Sequence, residues 1–550
     1  MITDRLIEIY CGKMVFLSLT DRRKERRSSG SSTKKIIAYV AIGILALSAV
    51  SVAFFARSPT PVDPLEESRK EQLRLFQTLY CASGEGARST QYVSEIALPT
   101  ECEMPLGIAA DGDKVWYVST KQGILGSYDR AGKKFEEQKI PSWPARDGPN
   151  TFSMSWSVRT DPSGNVWFTD ERQKAIWRFD KASEEFEVFY VPASLPAAME
   201  FDADGNLYFI GVMSRSIYFG DISKMKNGTS EGISEIALPL DAFGEIERIS
   251  TGSLVLDKDT GVIWVSLLAF QQKGVLFRYD IESQKVDRVV ELPDTLLSPV
   301  GLALDGSNNL WGTDHGTSTF FRYDEANDRL TRFATSLASP NIYGGTTPPN
   351  AYTLPYWIQK SPDDGTIWFN EHTGNKIARF DPSTLVLTEY WIPSQNNNWV
   401  ASCPEGSESC GLANALQFST GADGQVWFTE WSENKLGRVD VGKPAPISVA
   451  ADEEVTVARG GSVEIELTLG AETGFNGKMM SSSTLTDTGQ LGDSTGVFSE
   501  ESLSLGAGES KGISYVFSPA ESTQIGEQVL MIGAGNDEIS VLKAVRVNIV

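Results

Sequence analysis

A single pattern recurs seven times along the chain, most legibly in residues 361–393, SPDDGTIWFNEHTGNKIARFDPSTLVLTEYWIP. It consists of an acidic-Gly turn, an apolar run ending in Trp-Phe, a short polar loop, a second run ending in Arg-Phe-Asp, another turn and a third run closing on Pro. Short runs at this spacing are strands, because a helix of comparable content would be longer and would repeat its apolar residues every three to four positions. Aligned on the aromatic of the second strand, the repeats place Trp116, Trp167, Tyr208, Trp264, Trp311, Trp368 and Trp427 in register, at intervals of 51, 41, 56, 47, 57 and 59 residues. Such periods match four-stranded propeller blades with loop insertions. A second landmark follows in step at Tyr128-Asp129, Phe179-Asp180, Tyr279-Asp280, Tyr323-Asp324, Phe380-Asp381 and Val439-Asp440, and only the third repeat departs from it, with Phe219-Gly220-Asp221. Two landmarks in register predict seven blades.

Charge divides the chain. Residues 1–57 hold ten of the 49 Lys and Arg and four of the 72 Asp and Glu, net +6, so the remainder carries 39 against 68, net −29. A body this acidic lacks the basic face that phosphate neutralisation requires, which excludes nucleic acid as a partner. Residues 36–56, IIAYVAIGILALSAVSVAFFA, contain no charge. At 1.5 Å per residue they span about 31 Å, close to the hydrocarbon thickness of a bilayer. Arg22, Arg23, Lys24, Arg26, Arg27, Lys34 and Lys35 precede this run. The positive-inside rule then places residues 1–35 in the cytoplasm and the remainder outside, as a single-pass cell-membrane protein. A cleaved signal peptide is the alternative, since Ser51-Val52-Ala53 resembles a cleavage site.

The cysteines agree with an oxidising location. Cys81, Cys102, Cys403 and Cys410 follow the apolar run, an even number that permits three pairings, of which Cys81–Cys102 and Cys403–Cys410 are nearest in sequence. Residues 57–90 are expected to form a juxtamembrane stalk, with helix-forming composition over 64–80. Residues 91–99, QYVSEIALP, resemble the closing strand of a blade: SEIALP recurs at 234–239, and TEYWIP at 388–393 plays the same part. The last blade ends at Val441-Gly442-Lys443-Pro444 with no closing strand of its own. The N-terminal strand is therefore expected to complete blade seven and remove an open edge. The propeller spans 91–445. Over 446–550 the landmarks vanish, and Val463, Ile465, Leu467 and Leu469 alternate with polar residues, as do Ile513, Tyr515 and Phe517. This pattern predicts an antiparallel β-sandwich of immunoglobulin-like type. The expected fold is thus all-β, a propeller plus a sandwich, preceded by one transmembrane helix.

Pro105-Leu106-Gly107-Ile108, Pro299-Val300-Gly301-Leu302, Trp167-Phe168-Thr169-Asp170, Trp427-Phe428-Thr429-Glu430 and Asn434-Lys435-Leu436-Gly437-Arg438 carry a resemblance to the virginiamycin B lyase (streptogramin lyase) family over residues 91–441. The resemblance implies a seven-bladed propeller and a carbon–oxygen lyase that opens a cyclic depsipeptide ester, using a divalent ion such as Mg²⁺ and a histidine base. The family's catalytic histidines fall in a P-H-x-I entry of the last two blades, where this chain has Pro355-Tyr356-Trp357-Ile358 and Ala413-Asn414-Ala415-Leu416. Both family histidines are replaced.

The only two histidines of the chain nevertheless occupy equivalent places just after the second strands of blades five and six, as Asp314-His315 and Glu371-His372. Asp314, His315, Glu371 and His372 are the expected metal ligands, and His315, His372, Tyr356, Asn414 and Glu430 the expected catalytic set, on the face that also carries Asp170 and Glu171. The alternative is that both histidines are ordinary polar loop residues. Asp202-Ala203-Asp204-Gly205-Asn206 resembles the start of a calcium loop but lacks the downstream Glu, so it reads, like Asp161-Pro162-Ser163-Gly164-Asn165, as a tight turn. Two insertions, 338–353 and 394–411, are expected to rise over the histidine face. Two functions follow from these features: a divalent-metal lyase or lactonase acting on an external ester or cyclic substrate, or a non-catalytic propeller that binds a small molecule or a surface protein.

Overall fold

The computed structural model describes residues 81–82, 84, 86–143, 153–191, 194–339, 352–399 and 410–550. The expected cytoplasmic segment, transmembrane helix and stalk helix lie outside these residues. Among the described residues, no helix is long and apolar enough to cross a membrane.

The repeats fold as seven antiparallel sheets, each running outward from a first strand to a fourth, and the sixth continues beyond its fourth strand. The first strands are Pro105–Asp111, Val158–Thr160, Pro196–Phe201, Ser250–Asp257, Pro299–Leu304, Pro355–Lys360 and Phe418–Thr420. Each packs against a strand of an adjacent sheet, and the seventh closes on the first, which is the arrangement of a propeller. The second strands, such as Val166–Asp170, Ile367–Glu371 and Val426–Glu430, are buried along their whole length. That burial accounts for their near-continuous apolar character.

The recurring motif residues have separate physical roles. Asp161 accepts from Asn165 N (2.8 Å), Asn165 Nδ2 (2.9 Å) and Trp167 Nε1 (2.8 Å), and Asp305 does the same for Asn309 and Trp311. The acidic turn thereby fixes the landmark indole, and Asp202 holds Asn206 in the same way. These turns need no calcium to close. In Asn434-Lys435-Leu436-Gly437-Arg438, Asn434 adopts φ 59° and its Oδ1 accepts from Glu103 N at 2.8 Å. A Cβ on Gly437 would lie 2.0 Å from Phe428 Cζ, and the Arg438 guanidinium sits 5.8 Å from the Trp427 ring. Asn375 repeats the clamp one sheet earlier, at φ 53° with Oδ1 accepting from Ala413 N.

Val93–Ala97 supplies the fourth strand of the seventh sheet, pairing antiparallel with Lys435–Val439 from Val93↔Val439 to Ala97↔Lys435. The ring is therefore joined by two segments remote in sequence, and Lys435–Val439 is not left as the edge of its sheet. Cys81 is bonded to Cys102 beside this strand. Cys410 is also disulfide-bonded, whereas its expected partner Cys403 lies outside the described residues.

The C-terminal region forms two sheets on one core. Ile447–Ala451, Val463–Ala471, Ser510–Ser518 and Thr495–Phe498 make one of them. Ile539–Ile549, Gly526–Gly535, Phe475–Ser483 and Ser502–Leu505 make the other. Ile465, Leu467, Leu469 and Tyr515 face Leu530, Val545 and Val547 in the shared apolar layer. Ile539–Ile549 also pairs with Val386–Trp391, so the second C-terminal sheet continues the sixth sheet of the propeller without a break. Val529, Met531, Leu542 and Ala544 bury their side chains against Phe333, Phe380 and Leu387 of the fifth and sixth sheets. Those are the two sheets that carry the histidines.

Candidate functional site

The site is set by how each first strand begins. His315 N donates to Ser298 O (2.9 Å) and His372 N to Leu354 O (3.1 Å), so the two histidines hold equivalent places after the second strands of adjacent sheets. Their rings stack at 5.5 Å between centroids and 12° between planes. Tyr356 packs on His315 at 4.4 Å and lies 6.4 Å from His372. Gly301 permits this approach, because a Cβ there would stand 2.5 Å from Tyr356 O.

Trp156 of the second sheet meets Tyr356 of the sixth at 6.1 Å and 64°. These sheets are not neighbours in the ring, so the contact spans the axis and narrows the channel with two aromatic rings. Trp156 Nε1 also donates to Glu171 Oε2 at 3.0 Å. Asp170 serves its own sheet, accepting from Ser153 Oγ, Gln173 N and Trp177 Nε1.

The strand register corrects the expected equivalence of Asn414 with Tyr356. Ile358 pairs with Phe369, and Phe418 with Phe428, which aligns Tyr356 with Leu416. Asn414 instead matches Leu354: both lie in the left-handed region, at φ 52° and 49°, and their carbonyls accept from Trp431 N and His372 N. The entry to the seventh sheet has no Pro to mark it, so the motif alignment slips by two residues. Asn414 still belongs to the site, since its Oδ1 lies 3.1 Å from His372 Nε2. Because Asn Oδ1 can only accept, His372 carries its proton on Nε2 and leaves Nδ1 as a lone-pair acceptor.

Burial holds both imidazoles in the neutral form. His315 is pushed down to about 3 by desolvation, reinforced by the neighbouring His372, and His372 down to about 4 by desolvation. Nδ1 of each ring has no hydrogen-bond partner among the described residues. The pair thus places two buried, unpartnered Nδ1 atoms, that of His372 a lone-pair acceptor, beside an aromatic ring.

The carboxylates expected to complete a metal site face elsewhere. Asp314 Oδ1 accepts from Ser298 N (2.9 Å) and Gly316 N (3.1 Å), and desolvation pushes its carboxyl up to about 7. Glu371 lies 2.9 Å from Lys376 Nζ, in an ion pair outside hydrogen-bonding geometry, and Lys376 also reaches Glu389 at 3.2 Å and Ser336 Oγ at 2.6 Å. The seventh sheet repeats this charge cluster with Glu430, Lys435 and Glu95, where Lys435 lies 3.1 Å from Glu95 and 2.5 Å from Ser394 Oγ. Glu430, an expected catalytic residue, is a member of this cluster and not of the histidine group. Desolvation, then the charge of Glu95, raises its carboxyl well above the ordinary range. Among the described residues, no group of three or more His, Cys, Asp or Glu is placed to share a cation.

The closing-strand glutamates join neighbouring sheets: Glu389 accepts from Ser336 N, Glu95 from Ser394 N and Glu137 from Thr100 Oγ1. Sequence reasoning missed these buried charges. Their signal is the Glu shared by SEIALP and TEYWIP together with the Asn-Lys pair that starts the third strand. The C-terminal region contributes as well. Ser540 Oγ donates to Glu389 Oε2 (2.6 Å), and Ser318 N donates to Asp487 O (2.7 Å) just beyond His315.

No family profile and no curated protein matches the chain. In structure the chain is similar to a streptogramin B lyase, at 21% identity and TM-score 0.47, covering 64% of this chain and 97% of that one. It is similar to virginiamycin B lyase from Staphylococcus aureus at 20% identity and TM-score 0.45, covering 63% and 98%. The Dos1 propeller is a more distant likeness, at 10% identity and TM-score 0.40, covering 61% and 91%.

Proposed function

We propose that this chain is a membrane-anchored, extracytoplasmic recognition protein, a seven-bladed propeller carrying an immunoglobulin-like sandwich, whose His315, Tyr356, His372 and Asn414 group binds a small-molecule ligand. The observation that carries this reading is the pair of stacked, neutral imidazoles whose Nδ1 atoms have no partner among the described residues. A buried acceptor without a donor is unfavourable by about 1–3 kcal/mol, so a ligand that brings a donor recovers that energy. Tyr356 and Trp156 offer an apolar surface for the body of such a ligand. The segment 36–56 supplies the anchor and the net −29 of the body suits a solvated exterior.

Binding of phenol, indole and macrolactone fragments by saturation-transfer NMR tests this reading on the parent and on H315A/H372A. Donor-bearing fragments should bind the parent and lose at least about tenfold in affinity with the variant. Equal binding to both proteins overturns the assignment.

The two free Nδ1 atoms also favour a second reading, a divalent-metal lyase acting on an ester or cyclic substrate. Neutral imidazole suits Zn²⁺ and related ions, whereas Mg²⁺ prefers oxygen ligands. With Glu371 paired to Lys376, Asp314 Oδ1 held by Ser298 N and Gly316 N, and no cluster of three or more carboxylates, imidazoles or thiols among the described residues, the donor set does not fit the Mg²⁺ that the family resemblance implies. Calorimetric titration with Zn²⁺, Mn²⁺ and Mg²⁺ decides between the readings: stoichiometric binding lost in H315A/H372A would favour the enzyme.

A further inference from the structure

The first strands line a cavity of about 400 Å³ at the end of the axis opposite the histidines. All seven contribute to its wall, and Lys360 stands four residues beyond Tyr356 on the same strand, about 13 Å away at the rise of a β-strand. Each first strand pairs on one side only, with the second strand of its sheet. The remaining edge, with its backbone donors and acceptors, faces the axis.

The charge of this cavity runs against that of the body. Arg159, Lys258 and Lys360 line it with a single carboxylate, Glu200. Three cations and one anion give the wall net +2, inside a body whose acidic residues outnumber its basic ones 68 to 39. Arg159 is already engaged with Glu200, through Nε at 3.2 Å and Nη2 at 3.0 Å. The Gln359 side chain is likewise satisfied by Phe418 O, Thr420 N and Thr420 Oγ1. Lys258 and Lys360 are exposed and have no ion-pair partner among the described residues. Leu254, Leu302 and Ile358 lie along the same wall, with side chains almost fully buried in the cores between sheets.

We infer that this cavity is a binding site for a small organic anion, whose carboxylate meets Lys258 and Lys360 while its body fills the space between the first strands. The volume lies in the range of small-molecule sites and holds a substituted benzoate. This site is separate from the histidine group and does not depend on its assignment.

The test is fluorine NMR on the full-length chain with two probes of one shape, 4-(trifluoromethyl)benzoate and its uncharged carboxamide. The benzoate should bind saturably and at least about tenfold more tightly than the amide, and K258A/K360A should abolish that preference. H315A/H372A should leave benzoate binding unchanged. The inference is overturned by the absence of saturable binding, by equal binding of benzoate and amide, by a benzoate affinity that survives K258A/K360A, or by its loss in H315A/H372A.

Discussion

Replacing Lys376 with Met isolates the energetics of the buried charge cluster beside His372. Lys376 is fully buried, with Nζ 2.9 Å from Glu371, 3.2 Å from Glu389 and 2.6 Å from Ser336 Oγ. Desolvation alone would lower its pKa, but Glu371 and Glu389 outweigh it and raise the ammonium above its ordinary value. Its contribution to stability is therefore present at pH 7 and is lost only as pH rises through that raised value. Glu389 is opposed by burial and lowered chiefly by Lys376, so it is the carboxylate left ionised and uncompensated when the ammonium is removed. Breaking one partner out of a buried pair costs about 3–5 kcal/mol, because the remaining charge stays desolvated. Lys376→Met should thus lower the urea midpoint by an amount corresponding to about 3–5 kcal/mol. The triple variant K376M/E371Q/E389Q, which removes the charges together, should recover most of that loss, since neutral replacement of a whole buried cluster is often tolerated. A loss below about 1 kcal/mol for Lys376→Met, or a triple variant no better than the single one, would refute the reasoning.

Deletion of residues 91–99 removes the strand that closes the seventh sheet together with the buried side chains of Tyr92, Val93 and Leu98, and should destabilise the whole body by more than about 5 kcal/mol in chemical denaturation. Trp156→Ala should cost about 3–5 kcal/mol by leaving a cavity across the axis, read as a fall in the thermal midpoint. Asp314, pushed up to about 7 by burial, binds its proton more tightly folded than unfolded, so its contribution to stability falls as pH rises from about 4 to 7. Asp314→Asn keeps the acceptor for Ser298 and Gly316, and should flatten that slope and gain about 2–4 kcal/mol at pH 8, as measured by denaturation across pH.

The repeats are legible in the sequence because their landmarks are packing and turn residues whose roles are local. Trp167 with Asp161, and Gly437 against Phe428, fix neighbours only a few residues away. The closing strand at Val93–Ala97 is legible for another reason: its text is shared with other sheets, so its missing partner could be found by analogy. The histidine stack is partly legible, since equivalent loop positions on adjacent sheets bring side chains together. What each side chain turns toward is not legible. Glu371 and His372 are consecutive, yet the carboxylate points into the Lys376 cluster while the imidazole lines the site. Lys376, Lys435, Glu95 and Glu389 read as solvent-facing charges until the neighbouring sheet buries them. The continuation of the sixth sheet into Ile539–Ile549 leaves no local signal, because edge pairing depends on backbone groups that every residue carries.

The account rests on two neutral imidazoles with free Nδ1 atoms, and the chain contains no other histidine to obscure them. Long-range proton–nitrogen NMR of the imidazole rings at pH 7 reports tautomer and protonation together. The predicted spectrum shows both rings neutral, His372 with its proton on Nε2, and no titration between pH 8 and 5. A ring that protonates with an apparent pKa near 6.5, or a His372 carrying its proton on Nδ1, would contradict the account.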